Sequence, residues 1–219
     1  MRKPSAEPGR DCPLCPRLAA FRAENRLRRP DWRNAPVPSF GDPRARLLIV
    51  GLAPGLQGAN ATGRPFTGDW AGDLLYETLL AFGLARGTYA ERADDGLELV
   101  DCMVTNAVRC VPPQNKPTPA EMATCRPFLS DAIAALPRLK AILVLGRIAH
   151  ESTLRALGRK PSAAPFAHGM AAPLTREDGR ELRLFASYHC SRYNTNTGVL
   201  TPQMFRAVFA DIRRFLDAP

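Results

Sequence analysis

The hydrophobic pattern divides the chain into short apolar runs that alternate with longer stretches of helical spacing. Four runs are continuous and rich in apolar residues, and glycine or polar residues bound them, which predicts buried β-strands. They cover residues 46–50, 99–105, 141–145 and 182–187. The segments 51–69, 106–116 and 188–198 each follow one of these strands and are predicted to be loops, because they are rich in glycine, proline or polar side chains.

Apolar residues at helical spacing predict five helices. The best-defined start is Thr118, because a proline occupies the first turn and Glu121 stands at the third helical position. Thr201, also followed by proline, marks another start. The predicted helices cover residues 17–27, 70–84, 119–136, 148–157 and 202–216.

Continuous apolar strands that alternate with helices are typical of a parallel sheet covered on both faces. We therefore predict an α/β fold, a three-layer α/β/α sandwich around a central four-stranded, mainly parallel sheet. Sites in such folds lie in the crevice outside the carboxyl ends of the strands. The three predicted loops follow strand ends, so we expect them to converge.

The chain has 219 residues, of which 45% are hydrophobic, enough for one buried core. We predict a single domain, 1–219, whose N-terminal segment 1–40 is rich in proline and arginine. The net charge is +9, and residues 1–50 contribute 11 Lys/Arg against 5 Asp/Glu. This excess favours a nucleic-acid partner over a charge that serves solubility alone.

No apolar run reaches the length of a membrane span, and the N-terminus lacks the apolar core of a signal peptide. We therefore expect a cytoplasmic protein that does not interact with membranes. In that compartment cysteines are metal ligands or free thiols rather than disulfides.

Four of the six cysteines form two unequal pairs. Cys12 and Cys15 are three residues apart, whereas fourteen residues separate Cys110 from Cys125. A close pair and two distant thiols suit one metal centre that ties the N-terminal segment to the core. The wide second spacing excludes a zinc ribbon or finger, but spacing alone leaves zinc and an iron–sulfur cluster about equally favoured. The other two thiols, Cys102 and Cys190, are expected to be buried as small apolar side chains.

Polar and glycine-rich motifs at the strand ends supply candidate site residues. The loop Gly51-Leu-Ala-Pro-Gly55 lacks the lysine of a phosphate-binding loop, and its glycines suggest close approach to a flat ligand. Phe66 either stacks on a base or fills the core. Asp69 precedes a predicted helix, where capping and catalysis are both compatible with its position.

Two further strand ends carry candidates. His189 follows a strand and begins a stretch dense in hydrogen-bonding side chains, which favours a functional histidine. Asn106 lies just past another strand, and Asn115 lies in a proline-rich turn where turn formation alone would explain it.

Taken together, these motifs resemble the family 5 uracil-DNA glycosylases, the bacterial and archaeal iron–sulfur enzymes. The resemblance covers nearly the whole chain. It rests on the N-terminal C-x₂-C, GLAPG, the run G-x-N-x-T-G-R-P-F-T-G-D, VRC-x-PP-x-NKPTP and the late H-x-S-R-x-N-T-x-T-G.

The resemblance implies a [4Fe–4S] cluster held by Cys12, Cys15, Cys110 and Cys125. It implies that Phe66 stacks on an extruded base and that Asp69, Asn115 and His189 are catalytic or contact the base. The backbone of Gly51, Leu52, Ala53 and Gly55 would hold the base as well. Ser191, Arg192, Tyr193 and Asn194 would contact DNA.

Two positions bear on which family the chain resembles and on its specificity. Leu52 fits family 5, because family 4 relatives carry an acidic residue there. Asn106 departs from the family 5 members that have alanine, and its amide matches the uracil-reading asparagine of family 4. An amide there can bond the O4 and N3–H edge of uracil, so we expect a stronger uracil preference than in an alanine-bearing relative.

The implied function is removal of uracil, and of other deaminated bases such as hypoxanthine, from DNA by a monomeric enzyme without a lyase step. One alternative is a metal-stabilised damage-recognition protein without turnover, and another is a narrow, family 4-like uracil enzyme. A third, an enzyme acting on free nucleotides or nucleosides, is disfavoured by the cationic N-terminal segment. Its candidate phosphate contacts are Arg17, Arg22, Arg26, Arg28, Arg29 and Arg33.

Overall fold

The central element is a six-stranded mixed sheet. The computed structural model describes residues 7–176 and 178–218. Strands in these residues are β1 (Phe40–Gly41), β2 (Leu47–Gly51), β3 (Ala85–Arg86), β4 (Glu98–Leu99), β5 (Cys102–Asn106), β6 (Ala141–Leu145), β7 (Ala171–Thr175) and β8 (Glu181–Ser187). The large sheet has the order β1-β5-β2-β6-β8-β7, and β3 pairs with β4 in a separate ribbon.

Four parallel strands, β5-β2-β6-β8, form the centre of this sheet, as predicted. Two antiparallel edge strands, β1 and β7, were not predicted. β1 is only two residues long, and β7 alternates exposed with half-buried residues around a proline, so neither has the continuous apolar run of the central strands.

Seven α-helices accompany the strands in the described residues. They are α1 (Pro16–Arg28), α2 (Ala59–Thr62), α3 (Trp70–Ala81), α4 (Pro119–Ala135), α5 (Arg147–Ala156), α6 (Arg192–Asn196) and α7 (Pro202–Asp217). The start predicted at Thr118 is confirmed: its hydroxyl accepts from the Glu121 backbone at 3.2 Å, and the Glu121 carboxylate accepts from the Thr118 backbone at 2.7 Å.

The central strands send alternate side chains into two separate cores. Leu47 and Ile49 of β2 pack with residues of α3 and α7, whereas Leu48 and Val50 pack with residues of α4 and α5. Both core faces are therefore covered by helices, which confirms the three-layer α/β/α sandwich.

Three predicted elements are interrupted, and the first is the loop predicted over 51–69, which contains the short helix α2. The strand predicted over 99–105 is divided into β4 and β5 because Asp101 adopts φ +53° and binds the Arg46 backbone N–H at 2.9 Å. The loop predicted over 188–198 contains the short helix α6, whose first turn is capped by the Ser191 hydroxyl. Helix α3 ends three residues before its predicted end, ahead of Gly83 at φ +66°.

The N-terminal segment, described from residue 7 onward, lies against the core. Arg17 of α1 forms a two-point ion pair with Glu121 of α4, both contacts at 2.7 Å. Asn60 of α2 donates to Asn34 at 2.9 Å. The part of the predicted segment 1–40 that covers residues 1–6 lies outside the described residues.

The predicted phosphate contacts differ in their surroundings. Arg22 is buried and donates to the Cys12 carbonyl at 2.9 Å, so it is not available to a phosphate and that prediction is wrong. Arg17 and Arg26 are engaged by Glu121 and Asp11.

None of the helices in the described part of the chain combines the length and apolar character that a membrane crossing requires.

Candidate active site

A cavity of about 380 Å³ opens at the carboxyl ends of the parallel strands. Its walls come from all three predicted loops, which therefore converge as expected. The lining residues are Leu52, Ala53, Pro54, Gly55, Phe66, Asp69, Trp70, Ala71, Asn106, Asn115, His189, Ser191 and Arg192. Gly51, Tyr193 and Asn194, also predicted site residues, do not line it.

Phe66 forms part of this wall and also belongs to the core that α3 and α7 cover. Its ring is nearly buried, and its centroid lies 6.1 Å from that of His189. Its backbone has φ +53°, which is strained for a bulky residue. Such strain persists at functional sites when the surrounding structure holds it in place.

The glycines of the first loop make room for site side chains. A Cβ at Gly51 would lie 2.5 Å from both the Asn106 Oδ1 and the Phe66 ring. A Cβ at Gly58 would lie 2.7 Å from the Asp69 carboxylate, and one at Gly55 3.0 Å from it. The absence of a side chain at Gly51 therefore leaves room for Phe66 and Asn106, and the base contact expected of the Gly51 backbone stays a prediction.

Asp69 caps helix α3 and also faces the cavity. Its Oδ1 accepts from the Gly72 backbone at 3.2 Å. Burial raises the pKa of Asp69, and hydrogen bonds from the backbone of Gly72 and Ala71 oppose that shift. Capping and exposure to the cavity are compatible, as the sequence suggested.

His189 stands opposite, just beyond the end of β8. Burial lowers the pKa of its imidazole, because desolvation disfavours the charged form. The ring is therefore neutral at pH 7 and can donate one hydrogen bond from a ring N–H. Asn194 donates its Nδ2 to the His189 carbonyl at 2.8 Å and so fixes the backbone of the histidine from α6.

The two asparagines occupy different depths. Asn106 is the last residue of β5 and is buried, beside Gly51 on the neighbouring strand. Asn115 is exposed at φ +57° in the turn Pro113–Asn115. Asn106 is therefore a buried amide in the cavity wall, whereas Asn115 lies at the rim.

The other side of the rim is formed by α6. Arg192 and Ser191 line the cavity, whereas Tyr193 is 74% exposed and does not line it. Trp70, which the sequence analysis did not single out, lines the mouth at the first residue of α3. An aromatic directly after Asp69 was the only sequence signal that could have found it.

The loop that carries Phe66 is held by a buried arginine that was also missed. Arg64 and Asp95 form a two-point ion pair at 2.8 and 2.7 Å, with side chains 3% and 1% exposed. The Arg64 guanidinium holds the pKa of Asp95 far below its ordinary value. Three aromatic rings surround the guanidinium within 5.7 Å: Phe40, Tyr76 and Tyr89.

A second pocket lies between α1, α4 and the segment after β5. The thiols of Cys12, Cys15, Cys110 and Cys125 all line it. Burial raises the pKa of Cys110 to about 12 and that of Cys125 to about 11.

Two nitrogens donate to these sulfurs. Arg22 Nη1 lies 3.6 Å from the Cys110 Sγ, and the Arg109 backbone N–H lies 3.4 Å from the Cys125 Sγ. Cys102 and Cys190, by contrast, are fully buried within the main core, as predicted.

The four cysteines share a small pocket of about 10 Å³. In the ranges 7–176 and 178–218, no group of three or more His, Cys, Asp or Glu side chains is close enough to hold a single metal ion. Zinc binds thiolate sulfur at about 2.3 Å, which requires tight convergence.

Comparison with known proteins places the cavity in a family context. Residues 38–213 match the family model described as the uracil DNA glycosylase superfamily. A type-5 uracil-DNA glycosylase of Thermus thermophilus is 47% identical over 208 residues, 93% of each chain. Two proteins of Pyrobaculum aerophilum also match. Its type-5 uracil-DNA glycosylase is 39% identical over 90% of this chain and 86% of its own length, and its type-4 uracil-DNA glycosylase is 33% identical over 72% of each.

Replacing Asp69 with asparagine is expected to raise stability at neutral pH. Because burial raises the pKa of Asp69, its contribution to stability is complete below its unfolded pKa and is lost as pH rises through its folded pKa. Asparagine does not ionise and still caps a helix. The Tm of Asp69→Asn should therefore exceed that of wild type at pH 7 and match it below about pH 3.5.

Asp94→Asn is the control, since the Asp94 side chain is 83% exposed and its replacement should leave Tm nearly unchanged at both pH values. A lower Tm for Asp69→Asn at pH 7 would show that the carboxylate stabilises the fold.

Proposed function

Because the chain belongs to the uracil-DNA glycosylase superfamily and, within it, to the type-5 enzymes, we propose that it hydrolyses the N-glycosidic bond of uracil in DNA and leaves an abasic site. One observation carries this proposal. A single cavity at the strand ends brings together an aromatic ring, a buried amide, a carboxylate and a neutral imidazole: Phe66, Asn106, Asp69 and His189.

The base would enter the cavity after extrusion from the helix, which costs a few kcal/mol and less for a mismatched pair such as U·G. The Phe66 ring offers a stacking surface in the wall. Asn106 offers both an amide oxygen and an amide N–H₂, the pair of groups that complements the N3–H and O4 of uracil. The Asn106 amide is buried at the end of β5, beside the cavity.

Asp69 would act on the sugar side of the bond. Cleavage of the C1′–N1 bond leaves its electron pair on the base and a developing oxocarbenium ion on the sugar. An ionised carboxylate in a desolvated wall stabilises that cation and orients the water that adds to C1′. A positioned base of this kind contributes about 10²–10⁴ in rate.

His189 would act on the base side. Its imidazole, neutral because burial lowers its pKa, can donate a hydrogen bond to O2 as negative charge develops on the departing uracil. Donors aimed at developing charge contribute about 3–4 kcal/mol each in measured cases. Asn115, at the rim, would complete the contacts to the base.

DNA would approach across the rim formed by α6. Ser191, Arg192, Tyr193 and Asn194 lie in or directly before this helix. Arg192, which lines the cavity, would contact a phosphate at its mouth, and the exposed Tyr193 ring would enter the groove. The net charge of +9 supports a polyanionic substrate.

We propose further that the enzyme is monomeric and accepts other deaminated bases such as hypoxanthine. No lysine is among the described residues that line the cavity, which supports hydrolysis without a lyase step. A damage-recognition protein without turnover would not need the Asp69 carboxylate in the cavity wall. A narrow, type-4-like specificity is the remaining alternative.

The direct test is base release from matched oligonucleotides that carry U·G, hypoxanthine or a normal pair. Wild type should release uracil, and Asp69→Asn should slow release by about 10²–10⁴-fold while retaining DNA binding. The wild-type rate should fall as pH drops through the raised pKa of Asp69. Binding without release in both proteins would favour the damage-recognition alternative.

Asn106→Ala tests the source of base preference. Removing the amide should lower the ratio of uracil release to hypoxanthine release by about tenfold, because the two polar contacts to the N3–H and O4 edge of uracil are lost. Asn115→Ala, at the exposed rim, is the matched control and should change both rates together. An unchanged ratio in Asn106→Ala would exclude Asn106 as the reader of the uracil edge.

We propose that Cys12, Cys15, Cys110 and Cys125 hold a [4Fe–4S] cluster. The arrangement of the four thiols around one pocket supports this, as do the Arg22 and Arg109 nitrogens that donate to sulfur and offset the negative charge of a thiolate-bound centre. The cluster would fix α1 and its basic side chains beside α4.

The purified protein should be brown and contain about four iron atoms per chain. Cys125→Ser should lose colour and iron and lower the Tm. Cys102→Ala, which removes a buried thiol outside the pocket, should keep the colour and the iron. A colourless protein with about one zinc per chain would overturn the proposal.

A further inference from the structure

Trp70 is a large aromatic side chain left half exposed at the mouth of the cavity. It is 47% exposed and lines the cavity together with Asp69 on one side and Arg192 on the other. No step of the proposed reaction uses it. The other tryptophan, Trp32, lies in the N-terminal segment and lines none of the cavity.

Two contacts hold the indole in one orientation. Its Nε1–H donates to the Thr195 Oγ1 at 2.9 Å, and the Arg192 guanidinium lies over the ring, 5.5 Å from the centroid. Both partners belong to α6, the helix at the DNA-facing rim. A ring that is already oriented loses little conformational entropy when a flat ligand covers it.

Extrusion of a base leaves its neighbours along the strand with an uncovered face. Every base has a π-face, so an aromatic platform beside the extrusion site can accept a neighbour of any sequence. The cationic Arg192 next to the ring matches the phosphate that joins the two nucleotides.

Building on the proposed function, we propose that Trp70 is the stacking platform for the base adjacent to the extruded uracil in the same strand. The ring would replace the stacking partner that this neighbour loses. A structural alternative is that Trp70 only clamps α6 onto α3 through Thr195 and Arg192. The two roles differ in one respect, because a clamp does not depend on whether a neighbouring base is present.

The test measures binding to single strands that carry 2′-fluoro-2′-deoxyuridine, in which fluorine destabilises the sugar cation and so protects the glycosidic bond. One strand has both neighbouring bases, and the others replace the 5′ or the 3′ neighbour with an abasic spacer. Wild type, Trp70→Ala and Trp70→Phe are compared. Trp70→Phe keeps a ring if the alanine variant folds poorly. Thr195→Val removes the hydroxyl that accepts the indole hydrogen bond and that also donates to the Ser191 and Arg192 carbonyls.

Trp70→Ala should weaken binding to the complete strand by about 5- to 150-fold, the range of base–aromatic stacking contacts. On one of the two spacer strands, the one that lacks the neighbour that stacks on Trp70, the loss of affinity should shrink to about twofold or less. That neighbour is already absent there, so removing the ring removes no stacking contact. Trp70→Phe should lose less affinity for the complete strand than Trp70→Ala, and Thr195→Val should lose less affinity than Trp70→Phe.

If Trp70→Ala loses the same affinity on all strands, Trp70 only clamps α6 onto α3. If it loses no affinity on any strand, Trp70 has no role in binding. Either result overturns the inference while leaving uracil release by wild type intact. If wild type binds the fluorouridine strand no better than a matched thymidine strand, the proposed function itself fails.

Fluorescence provides an independent readout. Trp32→Phe leaves Trp70 as the sole tryptophan, since the chain has two. Binding of the complete strand should quench the emission of Trp70, because a base stacks on the ring. Binding of the spacer strand that lacks this base should not quench it. Equal quenching by both strands would contradict direct stacking.

Discussion

The buried ion pair between Arg64 and Asp95 is the interaction on which the site depends. It anchors the loop that carries Phe66, whose backbone is strained at φ +53°. Strain of this kind costs about 1–3 kcal/mol and persists only where neighbours impose it. Two hydrogen bonds hold the residues on either side of Phe66. Arg64 Nε donates to the Thr67 hydroxyl at 2.7 Å, and the Tyr76 hydroxyl donates to the Pro65 carbonyl at 2.5 Å.

The Arg64–Asp95 ion pair also affects the position of Asp69, because Asp69 belongs to the same loop. Only Thr67 and Gly68 separate Phe66 from Asp69, so a shift of the loop would move the aromatic wall and the cap of α3 together. Removing one partner of a buried pair typically costs about 3–5 kcal/mol, because the remaining charge is left uncompensated. Stability and the geometry of the site are thus coupled through Arg64.

Much of the fold could be predicted because local signals agreed with the tertiary structure. The run Ala141–Leu145 is continuously apolar, and Thr118 is followed by Pro119 and Glu121, so pattern alone located the strand and the helix start. The convergence of three loops followed from parallel topology. The edge strand β7 could not be predicted in this way, because an exposed edge needs no continuous apolar run.

The side-chain partners could not be predicted from local pattern, because they depend on residues distant in sequence. Asp95 lies 31 positions from Arg64, and Thr195 lies 125 positions from Trp70. Nor could charge alone show that Arg22 turns inward to the Cys12 carbonyl while Arg28 stays exposed. The glycine-rich loop alone also could not show that Phe66 and Asn106 take up the space beside Gly51.

The most direct test of this account is the single-turnover rate of uracil release by Asp95→Asn compared with Asp101→Asn. Asp101 also pairs with an arginine, Arg46, but belongs to the strand end remote from the cavity. At a temperature where both variants are folded, Asp95→Asn should release uracil far more slowly than Asp101→Asn. Equal rates would show that the Arg64–Asp95 pair does not hold the catalytic loop.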